Sequence, residues 1–265
     1  MIVASGGYGC RYTVADIDLD LFLERFDNID CGRHRQPSTL GAWSPERLRL
    51  FLEEKCGFNP RRGRIPGRFI VDHDEAFDII GALAARHGAF DLIHMDSHAD
   101  LGTGMFDRTW VDVGSRLLGV DCHQRPAAIL REGDAKMSPA NYLAFVLACR
   151  WLKSLIYVHH PSGGDDLMPF FFRDFDVATN VIEMRFVPEG IEAAIQTMSP
   201  DRLRQLPHRL EPAIPFQKIS STQFAAATPF DFIIVCQSPG YTPIETDKLI
   251  PVLSDYIDFE IATGI

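Results

Sequence analysis

Residues 91–100 read DLIHMDSHAD, and this stretch decides the fold. Leu92, Ile93, His94 and Met95 make the short, nearly continuous apolar run of a strand buried in a parallel sheet. The run ends at once in Asp96, Ser97, His98, Ala99 and Asp100. Asp and His at alternate positions beyond a strand end can face one site, and carboxylate with imidazole suits Mn, Zn or Fe. Runs of the same character occupy 69–71 (FIV), 155–158 (LIYV) and 232–235 (FIIV), each followed by polar residues, and 181–187 is a further candidate.

Between the strands lie helix starts. Ser44-Pro45, Ser138-Pro139, Ser199-Pro200 and Thr242-Pro243 each pair a capping hydroxyl with a proline suited to the first helical position. Residues 76–86 read as one more helix. Strands alternating with helices predict a single three-layer α/β/α domain over 1–265 with a mostly parallel sheet. Ligands in such folds bind beyond the carboxyl ends of the strands, where the polar residues fall.

The formal net charge of −10 disfavours a nucleic-acid partner, which needs clustered Lys and Arg. The six cysteines form no CxxC pair, as expected of a protein in a reducing compartment. The longest apolar run, 142–149, is far short of the ~20 residues of a membrane span. The N-terminal stretch lacks the pattern of a signal peptide. The expectation is a cytoplasmic protein with no membrane contact; its oligomeric state stays open. The basic loop 61–68 (RRGRIPGR) reads as a solvated turn or as a landing patch for an acidic partner segment.

Two further acidic motifs accompany DSHAD. In DIDLD (16–20), an extended strand places Asp16, Asp18 and Asp20 on one face and Ile17 and Leu19 on the other. Like charges so placed repel unless a cation neutralises them. In VDHDE (71–75), His73 follows a strand end, one helix and one strand before Asp96. The acids here also suit the first turn of a helix.

Together these motifs resemble the arginase–agmatinase–deacetylase superfamily, in which DH, DxHxD and DxD motifs hold two Mn²⁺ ions. Two more segments resemble its later strands: LIYVHHP, and DFIIVCQSPGYTPIETDKLIPVL near the C-terminus. DIDLD stands first here rather than late, which reads as a circular permutation, and with NYL (141–143) the chain is most similar to the arginase-like family that includes peptide arginases.

The resemblance implies a metal set. Asp96 and Asp18 would bridge two Mn²⁺ ions, His73 and Asp100 would complete one, and His98 and Asp20 the other. Asp16, Asp72, Asp74 and Ser97 would orient these ligands. The implied activity is hydrolysis of the guanidinium of arginine residues in a ribosomally made precursor peptide, giving ornithine and urea. The alternative is a ureohydrolase of a free guanidino compound such as arginine or agmatine. A single-metal deacetylase and a non-enzymatic peptide-binding scaffold are weaker readings. His159 and His160, at a strand end, are candidate proton carriers, with His123 as rival. Glu46 is the candidate guanidinium partner, with Glu75 second. His94 reads as a core residue.

Overall fold

The computed structural model describes residues 11–25, 35, 41–102, 109–131, 136–164, 166–187, 200–205 and 209–259. Its frame is an eight-stranded sheet in the order β10-β2-β9-β1-β3-β4-β8-β5. The strands are β1 (Thr13–Asp18), β2 (Ile65–Ile70), β3 (Phe90–Asp96), β4 (Leu152–His159), β5 (Val181–Ile182), β8 (Ile214–Ser220), β9 (Phe232–Cys236) and β10 (Ile257–Asp258). All pairings are parallel except β5 with β8. A separate antiparallel pair joins β6 (Arg185–Phe186) and β7 (Arg209–Leu210). The run 181–187 is therefore split between two short strands rather than forming one.

Strand parity sorts side chains between the two faces. Val14, Leu92, Leu155, Phe232 and Ile234 join one core with the helices Ala76–His87 and Tyr142–Ala148. Ala15, Ile17, Ile93, Met95, Val158, Ile233 and Val235 join the other core, with the helices Pro45–Leu50 and Ile250–Ser254. Helices on both faces make three layers. In the second core Phe22, Trp43 and Phe51 pack with ring centroids 5.2–5.8 Å apart, contacts worth roughly 0.5–1.5 kcal/mol each beyond burial.

Some local expectations shift. β1 ends at Asp18, and Asp20 sits in the 3₁₀ turn Leu19–Phe22, so the strand does not run through DIDLD. The helix expected at Ser138-Pro139 begins at Tyr142, because Asn141 Oδ1 accepts the Ser138 N–H and closes a turn first. Thr242 caps no helix; its hydroxyl bonds the carbonyls of Gln237 and Ser238 instead. The basic loop leads into the start of β2, at the sheet edge opposite the carboxyl ends, with Arg61, Arg62 and Arg64 exposed. Among the described residues no helix is long and apolar enough to cross a membrane.

Candidate metal centre

The same parity builds the site. On the first face, the apolar residues of the central strands give way toward the carboxyl ends to Asp16 and Asp18 on β1, His94 and Asp96 on β3, and Cys236 on β9. Register aligns them: Asp16 lies beside His94, and Asp18 beside Cys236. All five are buried. His73, in the turn after β2, and Tyr142, at the start of its helix, close over them from the helical layer.

The six expected ligands come together in two groups that share Asp96. In the first, His73 Nδ1 lies 2.9 Å from Asp100 Oδ2, 3.1 Å from Asp96 Oδ2 and 3.2 Å from Asp18 Oδ2. In the second, His98 Nδ1 lies 2.8 Å from Asp20 Oδ2 and 3.6 Å from Asp96 Oδ1. Asp96 thus turns one oxygen to each half. Asp18 faces only the first half through its side chain, since its Oδ1 accepts the Asp20 N–H at 2.9 Å.

One imidazole proton can serve only one acceptor, yet three carboxylates crowd His73 Nδ1. Asp100 Oδ2 is buried and makes no hydrogen bond. So many anionic oxygens in a buried space suit a cation as the missing partner. His73, His94, Asp96 and Asp100, then Asp18, His73 and Cys236, then Asp20, Asp96 and His98 each bring ligand atoms close enough to hold a metal ion.

A surrounding layer fixes the ligands. His73 Nε2 lies 3.1 Å from Asp16 Oδ1, which leaves Nδ1 to face the cluster. Asp16 Oδ2 also meets His94 Nδ1 at 3.2 Å and takes a short hydrogen bond from the Tyr142 hydroxyl. Ser97 donates its N–H to Asp20 Oδ1 at 3.0 Å and its hydroxyl to the Asp20 carbonyl. Asp16 and Ser97 therefore stand where orienting residues were expected. Asp72 stays exposed as the cap of a helical turn, and Asp74 shows no hydrogen bond to the six ligands. Glu75 spends its Oε1 on the N–H groups of Val71 and Asp72.

Five of the six, Asp18, His73, Asp96, His98 and Asp100, line a cavity of about 270 Å³. Gly102, Pro139, Ala140, Asp166, Ser238 and Tyr241 complete its wall. Asp100 and Ser238 both hold left-handed backbone, with φ of 49° and 48°, a conformation uncommon outside glycine.

The residues expected to carry protons and to hold the guanidinium do not line this cavity. His160 is buried with Nε2 on the Leu23 carbonyl and Nδ1 accepting the Ser162 N–H, so both its nitrogens serve the backbone. His159 turns Nδ1 to the His160 carbonyl at 2.7 Å. Glu46 is exposed near the start of its helix, where its own N–H and the Ser44 hydroxyl lower its pKa. His123 is exposed in the turn Cys122–Gln124. Sequence reasoning named none of Asp166, Tyr241 and Cys236 as a site residue and read His94 as core. His94 carried a signal in its parity with Asp96 on β3.

Without a metal the cluster holds extra protons. Burial works against the His98 imidazolium, but Asp20 and Asp96 outweigh it and push His98 up to about 12. Burial likewise opposes His94, which Asp16 and Asp96 push up to about 9. Burial, then the neighbouring Asp96 charge, raise Asp100 to about 7. For His94 the stabilisation is present below its ordinary 6.5 and lost as pH rises through about 9. For Asp100 stability falls as pH rises from 3.8 toward about 7, because ionisation is disfavoured in the fold. Chelator-treated protein should therefore melt at a lower temperature at pH 9 than at pH 6. Metal must displace these protons, so the rise in Tm on adding Mn²⁺ should be larger at pH 9. Thermal denaturation at both pH values checks this; a Mn²⁺ effect independent of pH would count against metal binding at these residues.

Compared with protein families, with curated proteins and with solved structures, the chain finds no match. The mostly parallel eight-stranded sheet and its buried His/Asp cluster are consistent with an arginase-like fold.

Proposed function

We propose that the protein is a binuclear Mn²⁺ hydrolase acting on the guanidinium of arginine residues in a precursor peptide, with ornithine and urea as products. The observation that carries the binuclear reading is Asp96, whose two oxygens face two separate histidine-containing groups. Asp18, His73, Asp96 and Asp100 would hold one ion, and His98, Asp20 and Asp96 the other; Asp18, expected to bridge, turns its free oxygen to the first group alone. When bound, the pair supplies Lewis-acid activation of water. The chain's own part is positional. Asp16 keeps His73 Nδ1 toward the cluster, Ser97 holds Asp20 in place, and Asp96 and Asp100 line the cavity that would receive the substrate.

The early position of DIDLD is compatible with the superfamily's geometry. β1 lies between β9 and β3, so its carboxyl end meets DSHAD whatever its place in the chain. Neighbouring-strand topology of this kind tolerates a circular permutation.

The cavity wall bears on substrate size. Among the described residues, no Arg or Lys lines it to meet the α-carboxylate of free arginine. An internal arginine presents neutral amides there instead. Agmatine, which has no carboxylate, is the second reading on the same ground. We expect kcat/KM for an internal arginine to exceed that for free arginine at least tenfold, which needs only ~1.4 kcal/mol of extra transition-state binding. Urea release and conversion of arginine to ornithine by mass spectrometry, with peptide, free arginine and agmatine compared, test this. Equal or better turnover of free arginine would overturn the peptide reading, and urea from none of the three would overturn the hydrolase.

A further inference from the structure

We infer that Asp166 and Tyr241 form a clamp for a planar cation at the mouth of the cavity, and that this clamp selects guanidinium over its neutral analogues. The inference rests on the guanidino reading above and adds the residues that would select the substrate. Asp166 follows β4 in the chain and lines the cavity together with His98 and Asp96. Its Oδ2 accepts the Ala99 N–H at 2.7 Å, which ties it to the DSHAD loop. Its Oδ1 is buried and has no hydrogen-bond partner. A buried carboxylate oxygen left unmatched costs free energy, and a ligand N–H would satisfy it. Asp166 belongs to none of the groups close enough to share a metal ion, so it is not spent as a ligand of one.

Tyr241 supplies the second half. It lines the same cavity, is 40% exposed, and sets its ring 5.3 Å from that of His98. An aromatic ring and a carboxylate lining one cavity suit guanidinium, which stacks on π-systems while donating in-plane N–H groups to oxygen. An ureido group has the same outline but no charge. The pair therefore discriminates by charge rather than by shape. The chain positions both residues through loops: Asp166 by its bond to Ala99, and Tyr241 by its N–H on the Ser238 carbonyl at 2.9 Å.

The test uses full-length, Mn²⁺-loaded protein and two capped probes, Nα-acetyl-arginine methylamide and its citrulline counterpart. Affinity is read as Kd, or as KM where a probe is turned over, and metal content is measured alongside. Wild type should prefer the arginine probe at least tenfold. Asp166→Asn keeps an oxygen for the Ala99 N–H and loses only the charge, so it should keep its metal and lose at least tenfold of that preference. Tyr241→Leu should lose severalfold, and Tyr241→Phe should retain the preference. No preference in wild type, an unchanged preference in Asp166→Asn, or loss of metal from Asp166→Asn would each overturn the clamp. Preferential binding without urea release would refute the hydrolase and keep the clamp. Urea release unaffected by Asp166→Asn would do the reverse.

Discussion

If the protein is the binuclear hydrolase proposed, Asp96→Asn should leave it folded yet strip it of both metal ions and of at least about a thousandfold of its turnover, a loss of about 4 kcal/mol in transition-state stabilisation. Asn keeps the size of the side chain and can still accept the His98 N–H that Asp96 Oδ1 accepts at 2.7 Å. What disappears is the negative charge placed between His73 and His98. Burial opposes that charge, but those two histidines hold the Asp96 carboxyl well below the usual carboxylate range. Asp100→Asn makes the informative comparison, because Asp100 stands by His73 and not by His98. It should weaken one ion far more than the other. Elemental analysis after dialysis, with a thermal melt to confirm folding, distinguishes the two variants. Full metal content in Asp96→Asn would sink the shared-ligand arrangement.

The largest effect on stability should come from Glu211→Ala, at about 3–5 kcal/mol. Arg125 is only 2% exposed, and its guanidinium donates to both Glu211 oxygens at 3.0 and 3.1 Å. It also donates to the Ala148 carbonyl at 2.6 Å, at the end of the helix that begins with Tyr142. Removing Glu211 leaves a buried guanidinium without its counter-charge, and the cost is that uncompensated charge rather than the worth of the pair. Arg150 also reaches Glu211, at 2.6 Å from Nε, but its side chain is 44% exposed. Arg150→Ala should therefore cost below ~1 kcal/mol. Urea denaturation of the three proteins measures both. A Glu211→Ala loss no greater than that of Arg150→Ala would show that the buried pair contributes nothing distinct.

The sheet and the buried His/Asp cluster were legible because both are written locally. An apolar run followed by alternating Asp and His fixes a strand and its terminal ligands within ten residues, as 91–100 does. The remainder depends on how loops return over the sheet. Asp166 lines the cavity while accepting the Ala99 N–H from another loop, and no spacing in the chain encodes that approach. His159 and His160 looked suitable at the end of LIYV, yet the backbone claims both nitrogens of His160 and Nδ1 of His159, and neither residue lines the cavity. Glu46 carries the ordinary chemistry of a helix start, which by composition alone looks the same as a substrate partner. His94 read as a core residue and is indeed buried, but the core at that point is polar and belongs to the site.

β9 enters the sheet between β1 and β2, although more than two hundred residues of chain precede it. During synthesis β1 and β2 can gain their mutual neighbour only once Phe232–Cys236 has been made. Until then each keeps an edge of unpaired amides and carbonyls, a template for association with other chains. Cys236, Ser238 and Tyr241 arrive with the same strand and its loop, so the cavity wall is completed in that late event too. A nascent chain halted before residue 232 would carry DIDLD, VDHDE and DSHAD with no strand to hold the first two side by side. Any metal that these residues hold would then wait for β9 to be made.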